Sequence, residues 1–224
     1  MKTIKSYYKD HLAKTKKMKR IIFGTLSVLV IISVFVFNKM YKSIMNTNVN
    51  NIENYSLYIH SEDDFETIKN KLYSDNIIID KKSFEWLAKK MEYPQYIKSG
   101  HYIIKNGMNN NQLLNMLRSG SQTPVDFTFN NIRTLEQLAR RIDEQIELDS
   151  LSFLNAVKKD STLKAMGFDD EKFAALFIPN TYELYWNISA EDFIEKMINE
   201  YKRFWNESRL EKAEKIDLSP IEVS

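Results

Sequence analysis

The chain has 224 residues, 43% of them hydrophobic, enough for one large or two small buried cores and too apolar for a disordered protein. Five glycines and four prolines supply too few turns for an all-β architecture, and the lack of cysteine excludes disulfide staples, thiolate metal sites and a cysteine nucleophile. Net charge is +2, but residues 1–20 hold Lys2, Lys5, Lys9, Lys14, Lys16, Lys17, Lys19 and Arg20 against Asp10 alone, leaving 24 of the 32 basic and 29 of the 30 acidic groups for the rest, which excludes a nucleic-acid-binding body.

The basic tail, residues 1–20, precedes a run from Ile21 to Phe37 with no charged side chain, at the short end of what spans a bilayer. Its N-terminal flank is far more basic than its C-terminal flank, where Lys39 and Lys42 are the near charges. The positive-inside rule therefore predicts a single-pass anchor at 21–37 with residues 1–20 cytoplasmic and the bulk exported. The alternative of a cleaved signal peptide lacks a small-x-small site at Phe37-Asn-Lys-Met40. Residues 38–54, Asn-rich from Asn46 to Asn54, read as a linker.

Order is expected from Tyr55. Tyr55–His60 alternates like a strand; Ser61, Asp63 and Asp64 open a helix with Phe65, Ile68 and Leu72 on one face; Ile77–Ile79 packs the turn; a second helix starts near Lys82 and carries Phe84, Leu87 and Met91. After Ser99-Gly100 comes a strand His101–Ile104, a turn at Asn106-Gly107, and a helix with Leu113, Leu114 and Leu117 that ends at Gly120. The β-helix-helix-β core of this unit, residues 55–120, resembles a LysM module, a small fold that grips N-acetylglucosamine-rich polysaccharides. Tyr93, Tyr96 and Tyr102 are candidates to stack on sugar rings, with half-buried core as the plainer reading.

The second unit, residues 121–224, starts with a strand Val125–Phe129. Thr134 caps a helix bearing Leu135, Leu138, Ala139, Ile142 and Ile146, and Leu151, Phe153, Leu154 and Val157 continue in helical spacing. A long amphipathic helix follows from Ser189 through Phe193, Met197, Tyr201 and Trp205. The chain then reaches Ser219-Pro-Ile-Glu222, a helix start with serine at the cap, proline first and a glutamate that reaches back. With two residues after it, that start predicts a longer protein continuing past Ser224. The three histidines, His11, His60 and His101, are far apart, and no metal-ligand spacing occurs.

Between these helices, Phe177-Ile-Pro-Asn-Thr-Tyr-Glu-Leu-Tyr-Trp186 sets Asn180, Thr181 and Glu183 among aromatics behind a proline. Pro179 forces Ile178 into extended geometry, which predicts a loop that presents side chains. Rings for sugar faces and amide or carboxylate groups for hydroxyls suit a carbohydrate cleft, so Asn180, Thr181, Tyr182, Glu183 and Trp186 are the candidate substrate-binding residues; the other reading is a rigid loop under a core lid.

These features together resemble the MltG/YceG-like family of endolytic murein transglycosylases: the basic tail and anchor, the LysM-like unit, Pro-Asn-Thr-Tyr in place of the family's Pro-Asp-Thr-Tyr, the helix through Trp205, and Leu218-Ser-Pro-Ile-Glu-Val-Ser224. Ile-Pro-Asn-Thr-Tyr-Glu and Tyr-Trp resemble its Bacteroidetes branch. The resemblance implies an α+β protein comprising an anchor, a LysM-like domain and the N-terminal part of a mixed α/β catalytic domain. It also implies cleavage of peptidoglycan glycan strands between N-acetylmuramic acid and N-acetylglucosamine to give 1,6-anhydro ends, during cell wall biogenesis at the cytoplasmic membrane with the bulk periplasmic. One carboxyl group first protonates the leaving oxygen and then takes the C6 hydroxyl proton, with no metal or organic cofactor. In the family that glutamate follows the Ser-Pro-Ile-Glu approach, so it is expected beyond Ser224, and no residue of this chain is assigned as catalytic; Ala174-Ala175 also stands where many relatives have Glu-Gly. The chain by itself is expected to be inactive. Its expected partners are glycan strands, the membrane and wall-synthesis proteins; the alternative is a non-catalytic peptidoglycan-binding or scaffold protein.

Overall fold

The computed structural model describes residues 4–50, 53–130, 132–169 and 172–223, with residues 4–17 as backbone only. Residues 1–3, the expected linker positions Asn51 and Ile52, and Ser224 lie outside the described residues.

The basic tail and the apolar run form one helix, α1 (Ile4–Met45), since no proline interrupts them and Gly24 is the sole glycine. Within its stretch Met18–Met45 an 18-residue window has mean hydropathy 2.5, and that window is not buried against the rest of the chain. At about 1.5 Å per residue the stretch exceeds the roughly 30 Å of a bilayer core, so among the described residues there is one helix, near the N-terminus, long and apolar enough to cross a membrane. Its polar groups serve themselves: Thr25, Ser27 and Asn38 donate to carbonyls three or four residues back at 2.8–3.1 Å.

The first unit is a mixture of a β-ribbon and three helices. β1 (Tyr55–Ile59) turns Leu57 and Ile59 inward and pairs antiparallel with β2 (Gly100–Ile104), Leu57 opposite Tyr102. α2 (Phe65–Ser74) and α3 (Lys81–Lys90) start on Asp64 and Asp80, whose carboxylates accept from Thr67 N–H and from Lys82 and Ser83 N–H. α4 (Asn110–Ser119) opens with an Asn109–Gln112 capping box and closes on Gly120 in the left-handed region. Ile68, Leu72, Phe84, Leu87, Leu113 and Leu117 fill the core. Tyr93 and Tyr102 are fully buried in it, so neither stacks on a sugar, whereas Tyr96 is 48% exposed.

The segment read as linker departs from that expectation. Thr47 and Val49 form β-bridges to Asn109 and Ile78, and Asn48 and Val49 are buried. The Asn48 amide donates to Asn110 Oδ1 at 2.6 Å and to the Asp80 carbonyl at 3.0 Å, while its Oδ1 accepts Asp80 N–H at 2.6 Å. Asn110 in turn donates to Ser83 Oγ and to the Ser43 carbonyl of α1. Asparagines that look like solvated spacer are instead a closed hydrogen-bond network joining α1 to the first unit.

In the second unit β3 (Val125–Phe129) pairs antiparallel with β4 (Asn180–Leu184). α5 (Leu135–Gln145), capped by Thr134, α6 (Ser150–Lys159), α7 (Ser161–Ala165) and α8 (Ala190–Phe204) surround Phe127, Phe129, Phe153, Phe177 and Phe193. Phe193 meets Phe127 and Phe153 edge to face at 5.5 and 5.7 Å. The loop expected after Pro179 is a strand. Proline's extended predecessor leads equally well into a strand, and proline just ahead of it removes no ladder donor. α9 (Glu207–Glu214) and α10 (Pro220–Val223) end the chain, with Ser219 N–H donating to Glu222 Oε2 at 2.7 Å as the cap spacing predicts.

Candidate functional site

Two side chains fasten the units together. Glu147, just past α5, accepts the Ser61 N–H at 2.5 Å and the Ser61 hydroxyl at 3.0 Å, with His60 Nδ1 at 3.7 Å. Asn187, past β4, donates to Ser99 Oγ at 2.8 Å and to the Ser99 carbonyl at 3.2 Å. Beside them Trp186 sets its ring edge against Tyr58 and His60 at 5.1 and 4.8 Å, and Tyr58 stacks on His101 at 4.6 Å. The Trp186 carbonyl accepts Glu147 N–H at 2.9 Å, which holds Glu147 beside the residue that precedes Asn187.

Concave surface runs along both sides of this joint. A cleft of about 660 Å³ lies between the starts of α6 and α8, walled by Asp149, Ser152, Asn155, Lys159, Asn187 and Glu191. A hollow of about 450 Å³ lies between the loops of the first unit, walled by Ser61, Asp63, Lys98, Ser99 and Gln122. Ser61 and Asn187 line both, so the two concavities adjoin at the joint, and together they are termed the groove. Gln122 Oε1 is buried there with no partner among the described residues. Its amide lies against the bare face of Gly100, whose φ of 139° and lack of Cβ the arrangement requires. A buried acceptor left open is costly, and this one faces the Gly100 backbone, closed off from the hollow.

Two carboxylates of the groove, Asp149 and Asp63, have structural tasks. Asp149 caps α6, and hydrogen bonds from Ser152 hold it below the usual carboxylate range. Burial acts to raise Asp63, but the Lys71 ammonium at 2.6 Å and the His60 N–H outweigh it and hold it low. Glu222, outside the groove, is held low by its bonds from Ser219. Among the described residues no three His, Asp or Glu side chains converge as metal ligands.

The residues picked out from the sequence do not converge. Asn180, Thr181 and Glu183 are exposed on β4; Thr181 Oγ1 meets Thr128 Oγ1 at 2.8 Å, and Glu183 stands opposite Asp126. Tyr182 is buried, stacked on Phe129 at 5.6 Å with its hydroxyl donating to the Ile178 carbonyl, and burial pushes its pKa up to about 12. Only Trp186 adjoins the groove. Ser61, Ser99, Glu147 and Asn187 carry no motif; their partners lie 86 and 88 residues away, beyond any local signal.

An α+β chain with one potential membrane-crossing helix and an extended polar groove between two small units is the class that fold and site define. Residues 57–224 match the YceG-like family, also called the MltG family, and the chain belongs to it. It is similar to a YceG-like protein from Listeria monocytogenes of known crystal structure, at 20% identity and a TM-score of 0.42. The match covers 75% of this chain and 60% of that one, so this chain spans about 60% of the relative's length. No curated protein sequence matches.

Proposed function

We propose that the protein belongs to an endolytic peptidoglycan lytic transglycosylase system, cutting glycan strands between N-acetylmuramic acid and N-acetylglucosamine to leave 1,6-anhydro ends, and that residues 57–223 hold the strand. Family membership supports the reaction class. The observation that carries the binding role is the pair of open, polar-lined concavities that adjoin across the joint at Ser61 and Asn187. An extended, open and polar groove fits a polymer of hydroxyls and N-acetyl groups better than an enclosed small molecule. In this reading the first unit is LysM-like, Trp186 supports the groove wall, Tyr182 braces the ribbon from its core side, and Asn180, Thr181 and Glu183 offer the exposed face of β4 to the strand. The protein sits in the cytoplasmic membrane by α1, N-terminus inside and bulk periplasmic. Wall-synthesis proteins are its neighbours there.

The reaction needs a carboxyl that is protonated before it acts. Asp63, Asp149 and Glu222 are pulled towards ionisation, and Glu147 is engaged by Ser61. None of them is assigned the acid role. The same observation favours a binding-only action of this chain as the second reading. Loss of an endolytic enzyme lengthens the strands it cuts, so sacculi from cells lacking the gene should show a longer glycan-length profile; an unchanged profile removes the cleavage reading.

A further inference from the structure

Next to the groove is a third concavity of about 460 Å³, walled by Gln95, Tyr96, Lys98, Asn115, Arg118 and Ser119. It shares Ile97, Lys98 and Ser119 with the hollow, so it opens off the same groove at its first-unit end. Its wall contains two cations, two amides, the Ser119 hydroxyl and the exposed phenol ring of Tyr96, and no carboxylate.

Both cations are placed by their surroundings. The Arg118 guanidinium lies over the Tyr96 ring, 4.9 Å from its centroid. It makes no hydrogen bond or ion pair with protein among the described residues, so its fork of donors is oriented by stacking and left open. Tyr96 is itself held by the turn Tyr93–Gln95, its N–H donating to the Tyr93 carbonyl at 2.9 Å, above the fully buried Tyr93 ring. Lys98 lies along Gly120, where an added Cβ would stand 2.7 Å from its Cδ, and its Nζ donates to the Ser119 carbonyl at 3.2 Å. Lys98 thereby offsets the negative end of α4, which would otherwise repel an anion from this pocket. Arg118 is left to meet one.

We infer that this pocket takes a carboxylate of the peptide stems borne by the glycan strand lying in the groove. The inference rests on the strand-binding reading above. Amide-rich stems ending in carboxylates match an Arg fork flanked by Gln95 and Asn115, and the pocket's position beside the groove matches a substituent branching from a strand.

The test uses the full chain in detergent and isothermal titration with three soluble strand preparations: peptide-bearing strands, the same strands stripped of stems by an amidase with the lactyl carboxyl groups so exposed converted to amides, and peptide-bearing strands whose carboxyl groups are converted to amides. Wild type should bind the first at least about tenfold more tightly than the other two, the equivalent of one charge-assisted pair. Arg118→Gln and Tyr96→Ala, both at exposed positions, should erase that preference while keeping the thermal midpoint and the affinity for stripped strands. Equal wild-type affinity for bearing and stripped strands overturns the pocket and leaves the groove standing. A preference that survives amidation overturns the carboxylate. Wild type binding none of the three overturns the groove reading, and this inference with it.

Discussion

Glu147 holds the joint with one carboxylate against one backbone N–H and one hydroxyl of Ser61. Ser61 is exposed, so water replaces the acceptor in Glu147→Ala and the expected cost is that of an ordinary hydrogen bond, about 0.5–1.5 kcal/mol, read as a lowered thermal midpoint. A midpoint unchanged from wild type would mean that the joint is made elsewhere. Asp63 gives a pH signature. Its folded pKa is depressed, so its contribution is full above the ordinary aspartate value near ~3.9 and is lost as pH falls through the lower folded value. Denaturation followed from neutral pH downwards should therefore show a loss of stability on the acid side that Asp63→Asn largely removes. Asn48, outside the groove, is buried with three bonds of 2.6–3.0 Å from its side chain. Asn48→Ala should cost about 3 kcal/mol, since Asp80 and Asn110 lose partners together.

The β3–β4 ribbon shows where local patterns suffice and where they stop. Alternation puts Phe127, Phe129, Tyr182 and Leu184 on the buried face, and all four are buried. The strand Val125–Phe129 and the helices with caps at Asp64, Thr134 and Ser189 were legible because cap and periodicity agree. Pairing with Asn180–Leu184 was not legible, since register is a long-range property and Pro179 is compatible with loop or strand start. The ribbon has two features of its own. Gln145 presents its amide to the Thr128 N–H and carbonyl at 3.0 and 2.9 Å, closing the β3 edge as a neighbouring strand would. Asp126 and Glu183 stand directly opposite each other, an unfavourable like-charge pair. Glu183→Lys should therefore stabilise the fold by about 0.5 kcal/mol. If Glu183 meets the strand as proposed, the same variant should weaken binding to sacculi; unaltered binding would return Glu183 to ordinary surface.

Across the whole molecule, the hydrophobic pattern foretold an apolar helix followed by two α+β units, but neither the continuity of α1 with the first unit nor the groove. Both depend on isolated polar residues far apart in sequence: Asn48 with Asn110, Glu147 with Ser61, and Asn187 with Ser99. Such pairs leave no periodicity to read. The joining of α1 to the first unit predicts that the groove keeps a set orientation to the membrane, and protease added to spheroplasts should cut residues beyond α1 while sparing residues 1–20; protection of the bulk would reverse the proposed topology. The proposed function requires that a glycan strand lies in the groove across the joint. Asn155 is exposed and lines the cleft without packing in the core, so Asn155→Trp fills the groove and leaves the fold intact. In co-sedimentation of the full chain with purified sacculi, wild type should pellet and Asn155→Trp should stay in the supernatant; both variants pelleting equally, or wild type failing to pellet, would contradict the account.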